Sequence, residues 1–164
     1  MMFRLKFVLG FVVLGILTSC QGMQQTARDG TMKETIRRVT PSDIKSYTDK
    51  IIVNEYQFRM NRTEETNSSL YFETYWKTLE PNTAEQEAGI SDVRLRIKIR
   101  SQKLRRGMDE FTVHNLNFTA ELQGTTDNNT GSWNNIRITP EREEFIDAIF
   151  DDYETEFKAG VMEY

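Results

Sequence analysis

Val93-Arg94-Leu95-Arg96-Ile97-Lys98-Ile99-Arg100 alternates an aliphatic residue with a cation at every step. Side chains of a strand point to opposite faces with a period of two, so Val93, Leu95, Ile97 and Ile99 share one face and the four cations the other. A helix would scatter both sets around its axis, so the stretch reads as a strand with one face in a core and one in water. The pattern recurs along the chain. Tyr56, Phe58 and Met60 alternate with polar residues, as do Leu70, Phe72, Thr74 and Trp76, then Leu116, Phe118, Ala120 and Leu122, and finally Ile136 and Ile138. Five such strands, each apolar on one side, predict an antiparallel sheet covered on one face.

Arg106-Gly107-Met108-Asp109 offers a tight turn with glycine at the first central position, as a type II′ hairpin prefers. Setting Arg106 opposite Asp109 pairs Ile99 with Leu116, Ile97 with Phe118 and Leu95 with Ala120, all on one face. It also sets Arg94 beside Glu121 on the other face, a favourable cross-strand pair. Leu104 and Phe111 then fall on the polar face near the tip, which calls for a bulge or another packing partner. If the loop before Val93 closes near Glu85, Tyr71, Glu73 and Tyr75 come beside Arg100, Lys98 and Arg96. Gly124 to Ser132, rich in Asn, Asp, Thr and Gly, reads as a loop into the last strand.

Helix starts flank the strands. Thr40-Pro41-Ser42-Asp43 supplies an N-cap threonine, a proline at the first helical position and an acid at the third, and Ile44, Tyr47, Ile51 and Ile52 follow at helical spacing. Thr139-Pro140-Glu141 repeats the signal before the stripe Phe145, Ile146, Ile149, Phe150, Tyr153 and Phe157. The expected fold is α+β, an antiparallel meander of about five strands with an N-terminal and a C-terminal helix packed on one face.

The 164 residues are 38% hydrophobic and carry a net charge of -4, but both averages are composites. Arg4 and Lys6 precede an apolar run from Phe7 to Leu17, and small polar residues lead to Cys20, which is the order of an export signal. The run is about 11 residues, against roughly 20 for a helix that spans a bilayer. Removing it leaves a leaner, more acidic domain. Residues 1–19 read as a signal peptide, 20–39 as the lipid-bearing cysteine and a polar tether, 40–158 as one folded domain and 159–164 as a tail.

Leu17-Thr18-Ser19-Cys20 resembles the lipobox of bacterial lipoproteins. The resemblance covers residues 1 to 20 and implies cleavage before Cys20 and lipidation of its thiol. Several acyl chains anchor stably where one holds only marginally. Gln21 stands where an aspartate would favour inner-membrane retention, so the resemblance points to the outer membrane. The layout of the remaining chain is similar to helix-grip modules of lipoproteins that accompany the β-barrel assembly machinery.

Function candidates are faces more than motifs. Arg94, Arg96, Lys98 and Arg100, with Tyr71 and Tyr75 beside them, form a candidate binding face for an anionic head group, lipopolysaccharide or wall polymer. The competing reading is a solvated face neutralised by Glu73 and Glu121, with the cations over the tyrosines. Export argues against nucleic acid. Residues 140–164 hold nine acids against Arg142 and Lys158, yet Asp151, Asp152, Glu154 and Glu156 form no calcium loop and read as a solvated helix face. One cysteine excludes an intrachain disulfide, and one histidine, His114, gives no metal motif and reads as an edge-strand residue. No nucleophile elbow or phosphate loop occurs, so the expectation is a non-enzymatic module without cofactor or metal. Its expected partners are the membrane, through the lipid at Cys20, and an envelope protein. A hydrolase would require a deep polar pocket lined by two carboxylates.

Overall fold

The computed structural model describes residues 30–104, 113–126 and 131–160. Its elements run β1 (Thr31–Val39), α1 (Pro41–Tyr47) continuing into wider π-type turns (Thr48–Glu55), β2 (Met60–Glu65), β3 (Ser69–Thr74), β4 (Lys77–Leu79), α2 (Thr83–Glu87), β5 (Asp92–Lys103), β6 (His114–Thr125), β7 (Asn134–Asn135) and α3 (Pro140–Gly160). The class is the expected one: an antiparallel sheet with both helices on one face.

β5 and β6 form the centre. Val93, Leu95, Ile97 and Ile99 are buried, as are Leu116, Phe118, Ala120 and Leu122 on the neighbouring strand. The main sheet order is β1-β6-β5-β3-β2, all antiparallel, with β4 pairing β5 and β7 pairing β6. Each long central strand is thus bordered by two short pieces, β3 and β4 on one side and β1 and β7 on the other. The first helix crosses the inner face between β1 and β2, which lie at opposite edges.

The β5–β6 register differs from the expectation by two residues. Leu95 faces Leu122, Ile97 faces Ala120, Ile99 faces Phe118 and Arg96, not Arg94, faces Glu121. A slide of two leaves every side chain on its face, so the apolar pattern alone does not distinguish the two pairings. Leu104 N extends the ladder to Val113 O at 2.9 Å. The turn around Gly107 and Phe111 lie outside the described residues.

The tether expectation for residues 20–39 fails from Thr31 onward, because Thr31–Val39 pairs with β6 from Thr31↔Glu121 to Val39↔His114. Two features hide this strand from a period-two reading. Glu34 occupies an inward position, partly buried toward Asp147, Asp151 and Glu154, and a bulge at Arg38, with φ of 63°, moves Val39 onto the inner face. Residues 21–29 lie outside the described part. The expected strand at Tyr56–Met60 begins only at Met60 and continues through polar residues, while Ile136 and Ile138 follow the two-residue β7 without forming a strand.

Both helix starts are as expected. Thr40 Oγ1 accepts from Asp43 N at 3.3 Å with Pro41 opening the helix, and Thr139 Oγ1 accepts from Arg142 N at 3.3 Å. Ile44, Ile51 and Ile52 from the first helix meet Ile146, Ile149, Phe150, Tyr153 and Phe157 from α3 over the sheet. Phe118 touches Phe150 and Tyr153 edge-on, at centroid separations of 4.6 and 5.3 Å. α2, which the apolar pattern does not announce, is opened by an Asn82/Glu85 capping box.

Candidate functional site

The helices cover one face of the sheet, so the site begins with the other. Arg94, Arg96 and Lys98 are half-buried there and Arg100 is exposed. Tyr71 stands opposite Arg100 and Glu73 opposite Lys98, as expected. Lys33 and Arg37 of β1 share this face through their pairing with Thr119 and Asn115.

Two acids neutralise the middle of the face. Glu121 Oε2 accepts from Arg96 at 3.0 and 2.6 Å, and its Oε1 accepts from Lys98 Nζ at 2.6 Å. Glu73 lies 3.7 Å from Arg96 Nη1 and 4.0 Å from Lys98 Nζ, and accepts from Tyr71 Oη at 2.7 Å and Asn61 Nδ2 at 3.0 Å. Burial alone would raise both carboxyls. For Glu121 the hydrogen bonds from Lys98 and Arg96 outweigh it, and for Glu73 those from Tyr71 and Asn61 do, with the two cations adding to each. Both are therefore held below the usual carboxylate range. This part of the face is a closed ion-pair network.

Tyr75 is not part of it. β3 ends at Thr74, and the register passes from Glu73↔Lys98 to Lys77↔Leu95, a slip of one residue. A slip of one reverses the faces, so Tyr75 turns away and Trp76 turns onto the cationic side. Tyr75 N donates to Arg59 O at 2.8 Å, and the residue is 53% exposed, with the Arg59 guanidinium 5.7 Å from its ring centroid. Trp76 takes the expected place of Tyr75 and receives both Arg94 and Arg96 at 4.4 Å.

Trp133 completes the arrangement. Its ring lies 4.1 Å from the Arg94 guanidinium, so both tryptophans of the chain meet on one arginine. Arg94 Nε and Nη2 donate to Gln123 Oε1 at 3.1 and 2.7 Å, and among the described residues it makes no ion pair. Burial, and then the Arg96 charge, lower its affinity for its proton. A guanidinium lying against two rings, bonded to an uncharged amide and in no ion pair among the described residues, keeps unspent donors for an anion. The residue pattern marked Arg94 but not its tryptophans, because Trp133 follows a loop and Trp76 depends on the slip.

Other chemistry is less available. Ser101 Oγ lies 2.9 Å from His114 Nδ1 and accepts from Leu70 N at 3.0 Å. Ser101 is fully buried, so the pair serves the sheet interior and not a substrate. His114 is correspondingly not on an edge, since β6 lies between β1 and β5. An open groove of about 340 Å³ runs between Lys45 and Asp49 of the first helix and Met60, Leu70 and Phe72. It carries two carboxylates, Asp49 and Glu65, but Glu65 is 58% exposed and gripped by Lys45 Nζ at 2.7 and 2.8 Å. On α3, Asp152 accepts from Tyr56 Oη at 2.5 Å, while Glu154 and Glu156 pair with Lys158 and Lys50, both at 2.7 Å. Among the described residues no cluster suits a metal ion, and no helix is long and apolar enough to cross a membrane. Cys20 lies outside the described residues.

The surroundings of His114, Glu73 and Glu121 make stability depend on pH. Burial, and then Lys103, hold His114 below the ordinary imidazole range. As pH falls through about 6.5 the unfolded chain takes up a proton that folded His114 refuses, so stability declines from there. The contribution of Glu73 and Glu121 is present above the ordinary carboxylate range and is lost at lower pH, as each is protonated in the fold. Urea midpoints followed against pH should show two declines, with His114→Gln removing only the first. A flat wild-type midpoint from neutrality through about pH 6 refutes the histidine assignment.

No protein-family model matches the chain, and no curated protein matches it significantly.

Proposed function

We propose that this chain is a lipid-anchored protein of the bacterial envelope, held at the outer membrane through Cys20, that works as a non-catalytic interaction or scaffold module. The helix-free face of the sheet is its working surface for another envelope protein. The observation that carries this reading is the segregation of charge across one domain: Lys33, Arg37, Arg62, Arg94, Arg96, Lys98 and Arg100 on the bare face against Glu64, Glu73, Asp92 and Glu121, with the acids of α3 on the other side. Such a domain orients against a charged partner or surface. A second reading, a binding protein for an anionic envelope component, is favoured by Arg94 and Arg100, which make no ion pair among the described residues.

Metabolic labelling with a palmitate analogue tests the anchor. Wild type should take the label and Cys20→Ser should not. Label that persists in Cys20→Ser, or is absent from wild type, removes the localisation. Crosslinking from the sheet face in membranes then separates a protein partner from a lipid or polymer. The second reading fails if Arg94, Arg96, Lys98 and Arg100 can all become serine without loss of binding to lipid or wall polymer.

A further inference from the structure

Gly30, the first described residue, sits beside Leu122 and Asn135. Its carbonyl accepts from Leu122 N at 2.7 Å. Its φ is +69°, and a Cβ there would meet Leu122 O at 2.6 Å and Asn135 Cβ at 2.8 Å. Gln123, next along β6, pairs with Asn135 on one side and with Arg94 on the other. The end of the sheet where the chain arrives from Cys20 is therefore the end that carries Trp133, Arg94 and Trp76.

Gly30 follows Cys20 by ten residues, and a chain of ten residues spans at most about 35 Å when fully extended. A lipid on Cys20 thus keeps this corner within reach of the surface that holds the lipid. α3, with its acids, packs on the opposite face through Phe150 and Tyr153 against Phe118. An anionic surface attracts the first side of the domain and repels the second.

We propose that the Trp76–Arg94–Trp133 corner docks on the membrane that anchors the chain, with anionic phospholipid head groups as its ligand. The proposal rests on the lipid anchor and deepens the anionic-ligand reading of the sheet face. Tryptophan favours the interfacial layer of a bilayer, where its ring meets apolar surface and its N–H meets head groups. Arg94 supplies donors to phosphate without surrendering an ion pair, whereas Arg96 and Lys98 are already held by Glu121. A lipid anchor alone sets distance but not orientation. The corner supplies the orientation, presenting the remaining sheet face at a constant angle to the bilayer.

The two tryptophans are the only ones in the chain, so intrinsic emission reports on this corner. The lipidated full-length mature protein is reconstituted into vesicles of phosphatidylcholine, with or without phosphatidylglycerol, each containing phosphatidylcholine with a nitroxide on its head group. Docking predicts stronger quenching with phosphatidylglycerol, reversed by added salt. Arg94→Gln, with its fold checked by circular dichroism, should lower the docked-to-undocked ratio about fivefold, since one basic residue near an anionic surface contributes about 1 kcal/mol. Equal quenching in the two vesicle types, while the protein floats with both, overturns the docking proposal and leaves the anchor standing. Failure of the wild type to float with either overturns both. The comparison of vesicle compositions needs no variant, so a misfolded Arg94→Gln does not affect it.

Discussion

Replacing Arg142 by alanine is expected to destabilise the domain by about 3–5 kcal/mol, because Glu85 would stay in the interior with its charge unpartnered. The Glu85 side chain is 1% exposed. Arg142 Nε donates to its Oε1 at 3.0 Å and Nη2 to its Oε2 at 2.7 Å, and Nη2 also reaches Glu80 O at 2.9 Å. Asn82 N donates to the same carboxylate at 2.8 Å, while Asn82 Nδ2 donates to Thr139 Oγ1, the cap of α3, at 2.7 Å. One bidentate pair therefore clasps α2 to the start of α3, and its removal frees both ends. Urea denaturation of Arg142→Ala measures the loss. The double variant Glu85→Gln/Arg142→Met should recover part of it, because no charge is then buried alone. A loss below about 1 kcal/mol, the range of exposed pairs, would show that the clasp is only a surface contact.

Tyr153→Ala is the second large effect, an expected loss of about 3–5 kcal/mol from deleting a fully buried aromatic ring. Tyr153 is fully buried and packs edge-on against Phe118 and Phe157, with centroids at 5.3 and 5.2 Å. Its hydroxyl lies 2.7 Å from Thr48 Oγ1 and 3.2 Å from Ile44 O, tying α3 to the first helix where the α turns give way to π turns. Tyr153→Phe keeps the ring and removes only the hydroxyl, and Thr48 still donates to Ile44 O at 2.6 Å. Its expected loss is therefore only about 1 kcal/mol. Equal losses from the two variants would place the contribution in the hydrogen bond and not in the packing.

The same contrast between local and distant contacts explains which elements were legible in the residues. Thr40-Pro41 and Thr139-Pro140 announce helices because a cap joins groups three residues apart. β1 does not show in the residue pattern because an inward Glu34 and the bulge at Arg38 break its alternation, and because its partner strand lies far away, with Thr35 bonded to Asn117 across 82 positions. Strict alternation from Tyr71 puts Tyr75 on the cationic face, and a single slip after Thr74 exchanges it for Trp76. Arg96, Lys98, Glu73 and Glu121 were legible as a face, since their alternation holds in either register, but their pairing was not.

By itself the sequence determined the alternation of β5 and β6, the faces that their residues occupy, the starts of two helices and the sign of charge on each side of the domain. Cap bonds and the period of a strand are local, so these features hold whatever the rest of the chain does. Only the tertiary structure decided the two-residue offset between β5 and β6, the recruitment of Thr31–Val39 as a strand, the Glu85–Arg142 clasp and the meeting of two tryptophans on Arg94. Each joins residues distant in the chain, and a pattern of period two is unchanged by a shift of two. The choice among such shifts falls to packing, and packing also decided that Arg94, which makes no ion pair among the described residues, lies against two aromatic rings.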